Sequence, residues 1–167
     1  MAAEDTVTET GATMEAGAIN LAGLKVMVID DSNTIRRSAE IFLLQAGCTV
    51  ILAEDGFAAL SMISDHQPDI IFCDIIMPRL DGYQTCALIK KNPHFSATPV
   101  VMLSSKDGLF DRARGRIVGS DEYLTKPFTR ESLLRTVSEH TAPRLAGATQ
   151  GHPDNAAGEP SPGLAGA

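Results

Sequence analysis

Several short apolar runs in this chain each stop at a residue that can do chemistry. KVMVI (25–29) runs into Asp30-Asp31, DIIFC (69–73) into Asp74, and PVVML (99–103) into Ser104-Ser105. DEYL (121–124) is followed two residues on by Lys126-Pro127. A carboxylate set among Ile, Phe and Met is costly to bury unpaired. Clustered carboxylates repel one another and call, at neutral pH, for a proton, an ammonium group or a divalent cation. A hard, oxygen-lined site with few carboxylates suits Mg2+, which keeps waters and pairs with phosphate. Aspartate is a competent nucleophile that forms an aspartyl-phosphate, and Lys126 with a cation can stabilise charge on phosphoryl oxygens. The chemistry indicated is Mg2+-dependent phosphorylation of one carboxylate.

Taken singly, each residue has a plainer reading. Asp31 or Ser32 can cap a following helix. Ser105 reads best as a turn residue, Asp81-Gly82 most simply as a turn, and Lys126 as surface. The functional reading rests on these groups meeting in one place, so it depends on the elements that carry them.

The middle of the chain alternates strand-like and helix-like patterns. A helical pattern over 33–46 puts Ile35, Ala39, Phe42, Leu43 and Ala46 on one face, and Gly47 stops it. TVILA (49–53) reads as a strand, FAALSMIS (57–64) as a helix, and YQTCALIKK (83–91) as a helix closed by Asn92-Pro93. A weaker helix is expected over 108–117, and a last one over 129–140 bearing Leu133, Leu134 and Val137. Short strands that are apolar throughout are expected where helices cover both faces of a parallel sheet. The fold class is therefore α/β, a three-layer doubly wound domain with five parallel strands. Its ligands are expected at the C-terminal strand ends, near a switch point in strand order. That edge collects Asp30, Asp31, Asp74, Ser104 and Lys126, with Asp74 standing where its strand emerges rather than buried among apolar residues.

Composition bounds the rest. The 167 residues carry a net charge of −7, with four acids and no Lys or Arg in 1–22 and fifteen acids against thirteen bases in 23–142. That is no basic face for nucleic acid. No apolar stretch approaches membrane-spanning length, and the acidic N-terminus is unlike a secretory signal. Cys48, Cys73 and Cys86 form no CxxC pair and carry no functional weight, Cys73 reading as core. Residues 1–22 and the Ala/Gly/Pro-rich 142–167 are expected to be disordered tails around a folded unit at 23–141.

VIDDS (28–32), FCDIIMPRLDGY (72–83), VVMLSS (100–105) and YLTKPF (123–128) resemble the receiver domain of two-component response regulators, the CheY-like family, over roughly 24–141. The resemblance implies strand order 2-1-3-4-5. It places the phosphoacceptor on Asp74, and the metal ligands on Asp30, Asp31, Asp74 and the backbone carbonyl of Ile76, for Mg2+ with Mn2+ able to substitute. Ser104 and Lys126 become the phosphoryl contacts, Tyr123 the switch aromatic, and Pro127 the residue of a cis peptide. The implied partners are a histidine kinase or phosphotransfer domain, and a downstream protein on the face formed by 108–117, the fifth strand and the last helix. No nucleic acid or membrane is implied; the expected state is a monomer in the bacterial cytoplasm, with no turnover substrate.

Within the family, DIIMPRLDGYQTCALIK (74–90), SSKDGLFD (104–111) and GRIVGSDEYLTKPF (115–128) are similar to the receivers of type IV pilus twitching motility, which implies a pilus-motor or signalling target. A flagellar-motor output or a phosphate-sink role is the alternative. Two positions depart from CheY: Ile76 stands where CheY has Asn, and Lys106 where it has Glu, so self-hydrolysis of the phosphorylated form is expected to be slower. Other classes fit less well. A transcription factor needs an output domain that 25 residues of Ala, Gly and Pro cannot form. A haloacid-dehalogenase phosphatase needs a second Asp where Ile76 stands, and a nucleotide-binding Rossmann domain needs glycines where DDSNT follows the first strand.

Overall fold

The computed structural model describes residues 21–105 and 118–142. The expected helix at 108–117, Lys106, and residues 1–20 and 143–167 of the expected tails at 1–22 and 142–167 lie outside the described residues. The strands are β1 (Lys25–Ile29), β2 (Thr49–Ala53), β3 (Ile70–Asp74), β4 (Val100–Ser104) and β5 (Glu122–Thr125). The helices among the described residues are α1 (Asn33–Gln45), α2 (Gly56–His66), α3 (Gly82–Lys91) and α4 (130–142). All five strands are parallel, in the order β2-β1-β3-β4-β5.

Alternation along the strands builds two cores. Met27, Ile29, Ile71, Cys73, Val100 and Met102 face one side, where they pack with Ala59 and Ile63 of α2 and with Cys86 and Ile89 of α3. Val26, Val28, Ile70, Phe72, Val101 and Leu103 face the other, against Ala39 and Leu43 of α1 and Leu133 and Val137 of α4. Both faces of the sheet are covered, so the central strands carry apolar residues at consecutive positions. Ile70, Ile71 and Phe72 are fully buried, each stabilising the fold by about 1.5–3 kcal/mol. The three cysteines are free and buried. Burial pushes the thiols of Cys48 and Cys86 up to about 11 and raises that of Cys73, which makes them inert core residues.

The folded unit reaches further toward the N-terminus than expected. Leu21, assigned by its composition to the tail at 1–22, is fully buried in the core beside α1 and α4. Its carbonyl accepts a long contact from the Cys48 Sγ at 3.8 Å, and the Leu24 amide also donates to it. A single apolar residue without periodic neighbours gives no pattern to read, so only the packing exposes its role.

Asp81-Gly82 is likewise more than a turn. Asp81 caps α3, accepting from the Gln84 amide, while the Gln84 side chain accepts from the Asp81 amide. Gly82 is the first residue of α3, and its amide donates to the Ile75 carbonyl at 2.8 Å. A Cβ there would stand 2.2 Å from the Asp74 carbonyl oxygen and 2.7 Å from the Ile75 Cα. Those are backbone atoms at the end of β3, so they cannot swing aside. Gly82→Ala is expected to lower stability by about 1–3 kcal/mol in urea unfolding. An unchanged midpoint would show that α3 can shift off the strand end at no cost.

Candidate functional site

Strand register decides which side chains meet. β1 and β3 are neighbours although β2 lies between them in sequence, so the order reverses between them. Ile29 pairs with Cys73, which sets Asp30, one step past β1, beside Asp74, the last residue of β3. β4 flanks β3 on its other side and ends at Ser104, which pairs with Thr125 of β5; Lys126 follows directly. The Lys126 amide donates to the Ser104 carbonyl at 2.7 Å, and the Lys126–Pro127 peptide is cis.

One ammonium group joins two of the three carboxylates. Lys126 Nζ lies 2.9 Å from Asp74 Oδ1 and 3.1 Å from Asp30 Oδ2. Asp30 is fully buried, and its other oxygen accepts the Ser32 amide at 2.8 Å. Ser32 takes the cap of α1 by accepting from the Ile35 amide. Asp31 is therefore spared that duty and remains exposed at the site. Asp30, Asp31 and Asp74 each offer an oxygen, and these lie within 4.8 Å of one another. Hard oxygen donors at that spacing fit a Mg2+-sized ion. A cleft of about 860 Å3 opens on the cluster, lined among others by Asp31, Asp74, Ile76, Tyr83, Ser104 and Lys126.

Asp74 departs from expectation in one respect: it does not emerge from the strand but is buried, at 4% exposure. The structure tolerates this in two ways. Lys126 supplies the opposite charge, and the carboxyl itself is drawn toward its neutral form. Burial raises Asp74 from its ordinary 3.8 to about 6; the hydrogen bond from Lys126 opposes the rise, and the Asp30 charge adds to it. Burial alone would depress Lys126, but its hydrogen bond to Asp74 and the charges of Asp30 and Asp74 outweigh that and hold it above its usual value.

The segment between β3 and α3 borders the cleft. Ile75 and Met77 are buried, whereas the Ile76 side chain is 74% exposed at the rim. Arg79 has φ +67°, a left-handed conformation that costs an L-residue with a Cβ about 1–2 kcal/mol. Tyr123 is half-buried on β5, its hydroxyl 3.4 Å from that of Tyr83. Sequence reading did not single out Tyr83, Asp55 or Arg79. An aromatic residue inside a helix pattern and charges in loops give no signal of spatial convergence; only Gly82, directly after a cap residue, carried a local hint.

The raised Asp74 has a pH consequence. Between about 4 and about 6 the folded protein holds a proton on Asp74 that the unfolded chain has released. Without divalent cations, the contribution of Asp74 to stability is fully present below this window and is lost as pH rises through it. Asp74→Asn is expected to remove that slope and to be more stable than the parent at pH 7 by about 1–2 kcal/mol, allowing for screening at the cleft. Urea unfolding in chelator at pH 4.5 and pH 7 measures both; parallel pH profiles for the two proteins would refute the cause.

Comparison with known proteins agrees with this geometry. Residues 26–138 match the family model described as the response regulator receiver domain. The chain is 70% identical over 118 residues to Protein PilG of Pseudomonas aeruginosa, covering 71% of this chain and 87% of that protein. It is 38% identical over 120 residues to the probable transcriptional regulator ycf27 of Guillardia theta, where it spans 46% of the relative's length against 70% of its own. Among solved structures, the chemotaxis protein CheY4 of Vibrio cholerae superposes with a TM-score of 0.69 at 32% identity, covering 71% of this chain and 98% of that one. The receiver domain of Francisella response regulator 1452 gives 0.67 at 33% identity, covering 73% and 99%. With the family model spanning most of the described residues, and the sheet order and acidic strand-edge cluster in place, the chain belongs to the response regulator receiver family.

Proposed function

We propose that this receiver takes a phosphoryl group on Asp74 from a histidine kinase or phosphotransfer domain and signals through protein contacts. The observation that carries the reading is the placement of Lys126 Nζ against both Asp74 and Asp30, with Asp31 alongside, at one cleft. An Asp74 oxygen attacks phosphorus; the bond to the donor nitrogen breaks and its electron pair leaves with the donor. The Lys126 ammonium then turns from a carboxylate to a phosphoryl oxygen, and the Ser104 hydroxyl donates to another. Mg2+ bound by Asp30, Asp31, Asp74 and the Ile76 carbonyl would offset the repulsion between the carboxylates and the incoming phosphoryl group.

Drawing Ser104 toward the phosphoryl group moves the end of β4 and gives the Tyr123 ring room to turn inward. The surface of β5 and α4 then changes population between two forms. Taken with the likeness to PilG, the reading extends to twitching motility as the output.

Incubation with a small phosphodonor, with and without Mg2+, followed by mass measurement, tests the core of this reading. One phosphoryl group is expected per chain, dependent on Mg2+ and absent from Asp74→Ala. Label retained in Asp74→Ala would sink the assignment. Because Ile76 stands at the rim of the cleft, its side chain hinders the water that cleaves the acyl phosphate. Ile76→Asn is expected to speed dephosphorylation by roughly fivefold, the effect of about 1 kcal/mol on the barrier. An unchanged decay rate would remove that role from Ile76.

A further inference from the structure

We propose that Arg79 is a positioning residue, which with Asp55 and Phe57 clasps the 75–81 segment and so sets the loop that borders the phosphoacceptor. Arg79 lies midway between the cleft-lining residues Ile75, Ile76 and Met77 and the helix cap Asp81. Its guanidinium donates to Asp55 Oδ2 at 2.9 Å, and its Cζ lies 5.1 Å from the centroid of the Phe57 ring. Both partners belong to the start of α2. Asp55 is fixed there already, because its other oxygen accepts the Ala58 amide at 2.8 Å as the cap of that helix.

The clasp thus ties a loop to a rigid helix end through an ion pair and a cation–π contact. The left-handed backbone at Arg79 fits this role. An unfavoured conformation persists only where its surroundings over-determine it, and here the anchored side chain and the Leu80 amide, bonded to the Pro78 carbonyl at 2.7 Å, do so. On the far side, the Gly82 amide on the Ile75 carbonyl closes the loop. Slack at Arg79 therefore reaches the backbone of Ile76, where the proposed carbonyl ligand sits.

Arg79 is 64% exposed, and an exposed ion pair adds little to global stability. Loss of the clasp is therefore expected to loosen the loop and the site while leaving the unfolding midpoint almost in place. That separates positioning from general support of the fold.

The cation-binding arm of the test rests on the phosphorylation reading above; the exchange arm does not. Arg79→Ala, Arg79→Lys, Asp55→Asn and the double variant Arg79→Ala/Asp55→Asn are made in the full chain. Asn keeps the helix cap while removing the charge. Each is measured for amide hydrogen exchange over 76–80 without metal, for Mn2+ affinity by titration, and for urea stability. Arg79→Ala is expected to speed exchange over 76–80 and to weaken Mn2+ binding by roughly tenfold, a typical loss for a residue that supports a ligand without being one. Arg79→Lys should fall between it and the parent, and the double variant should be no worse than Arg79→Ala alone. Parent-like exchange in both Arg79→Ala and Asp55→Asn, or fully additive effects, would overturn the clasp. A parent protein that binds no Mn2+ while Arg79→Ala still speeds exchange would uphold the clasp and refute the cation site instead.

Discussion

The site depends on a single ammonium group. Lys126 Nζ touches Asp74 and Asp30 at once, and it is the cation, among the described side chains at the cluster, that makes two buried carboxylates tolerable. Burial, with the Asp30 charge adding to it, still draws Asp74 toward its neutral form against the hydrogen bond from Lys126. The cluster is held together and also held off balance. The charges there are incompletely matched within the protein, which suits a site that responds to an added charge.

The rest of the molecule positions that pair. Two apolar cores clamp the sheet from both faces, leaving the strand ends as the place where polar groups can gather. Gly82 lets α3 start directly against the Asp74 carbonyl, which sets the helix beside the end of β3. On the opposite flank, Asp30 accepts the Ser32 amide through its side chain and the Arg36 guanidinium through its carbonyl at 2.7 Å. The start of α1 thereby fixes the carboxylate that Lys126 has to reach. Rigid helix ends around a charge-imbalanced centre suit a switch, because a small change at the centre has nowhere to be absorbed locally.

Much of this was legible beforehand. The β3 run of Ile70 to Cys73 is apolar at every position, which already required cover on both sides and hence a parallel sheet. Asp30, Asp31, Asp74, Ser104 and Lys126 were readable as a group because each stands at a strand end, and parallel strands share one end. The burial of Asp74 was not legible: whether a terminal strand residue is covered depends on α3 and on Lys126, far away in sequence. Leu21 and the Arg79–Asp55 contact were hidden for the same reason, since neither has a local pattern.

The sequence by itself determined the elements, the class of fold and the residue types available at the sheet's edge, because periodicity and strand composition are local properties. Tertiary structure alone decided that Lys126 bridges Asp74 and Asp30, that Ser32 rather than Asp31 caps α1, and that burial raises Asp74 above the usual carboxylate range. Those outcomes turn on distances of about 3 Å between groups as far as 96 positions apart. Electrostatic energy varies so steeply with distance and burial that only the folded register could set them.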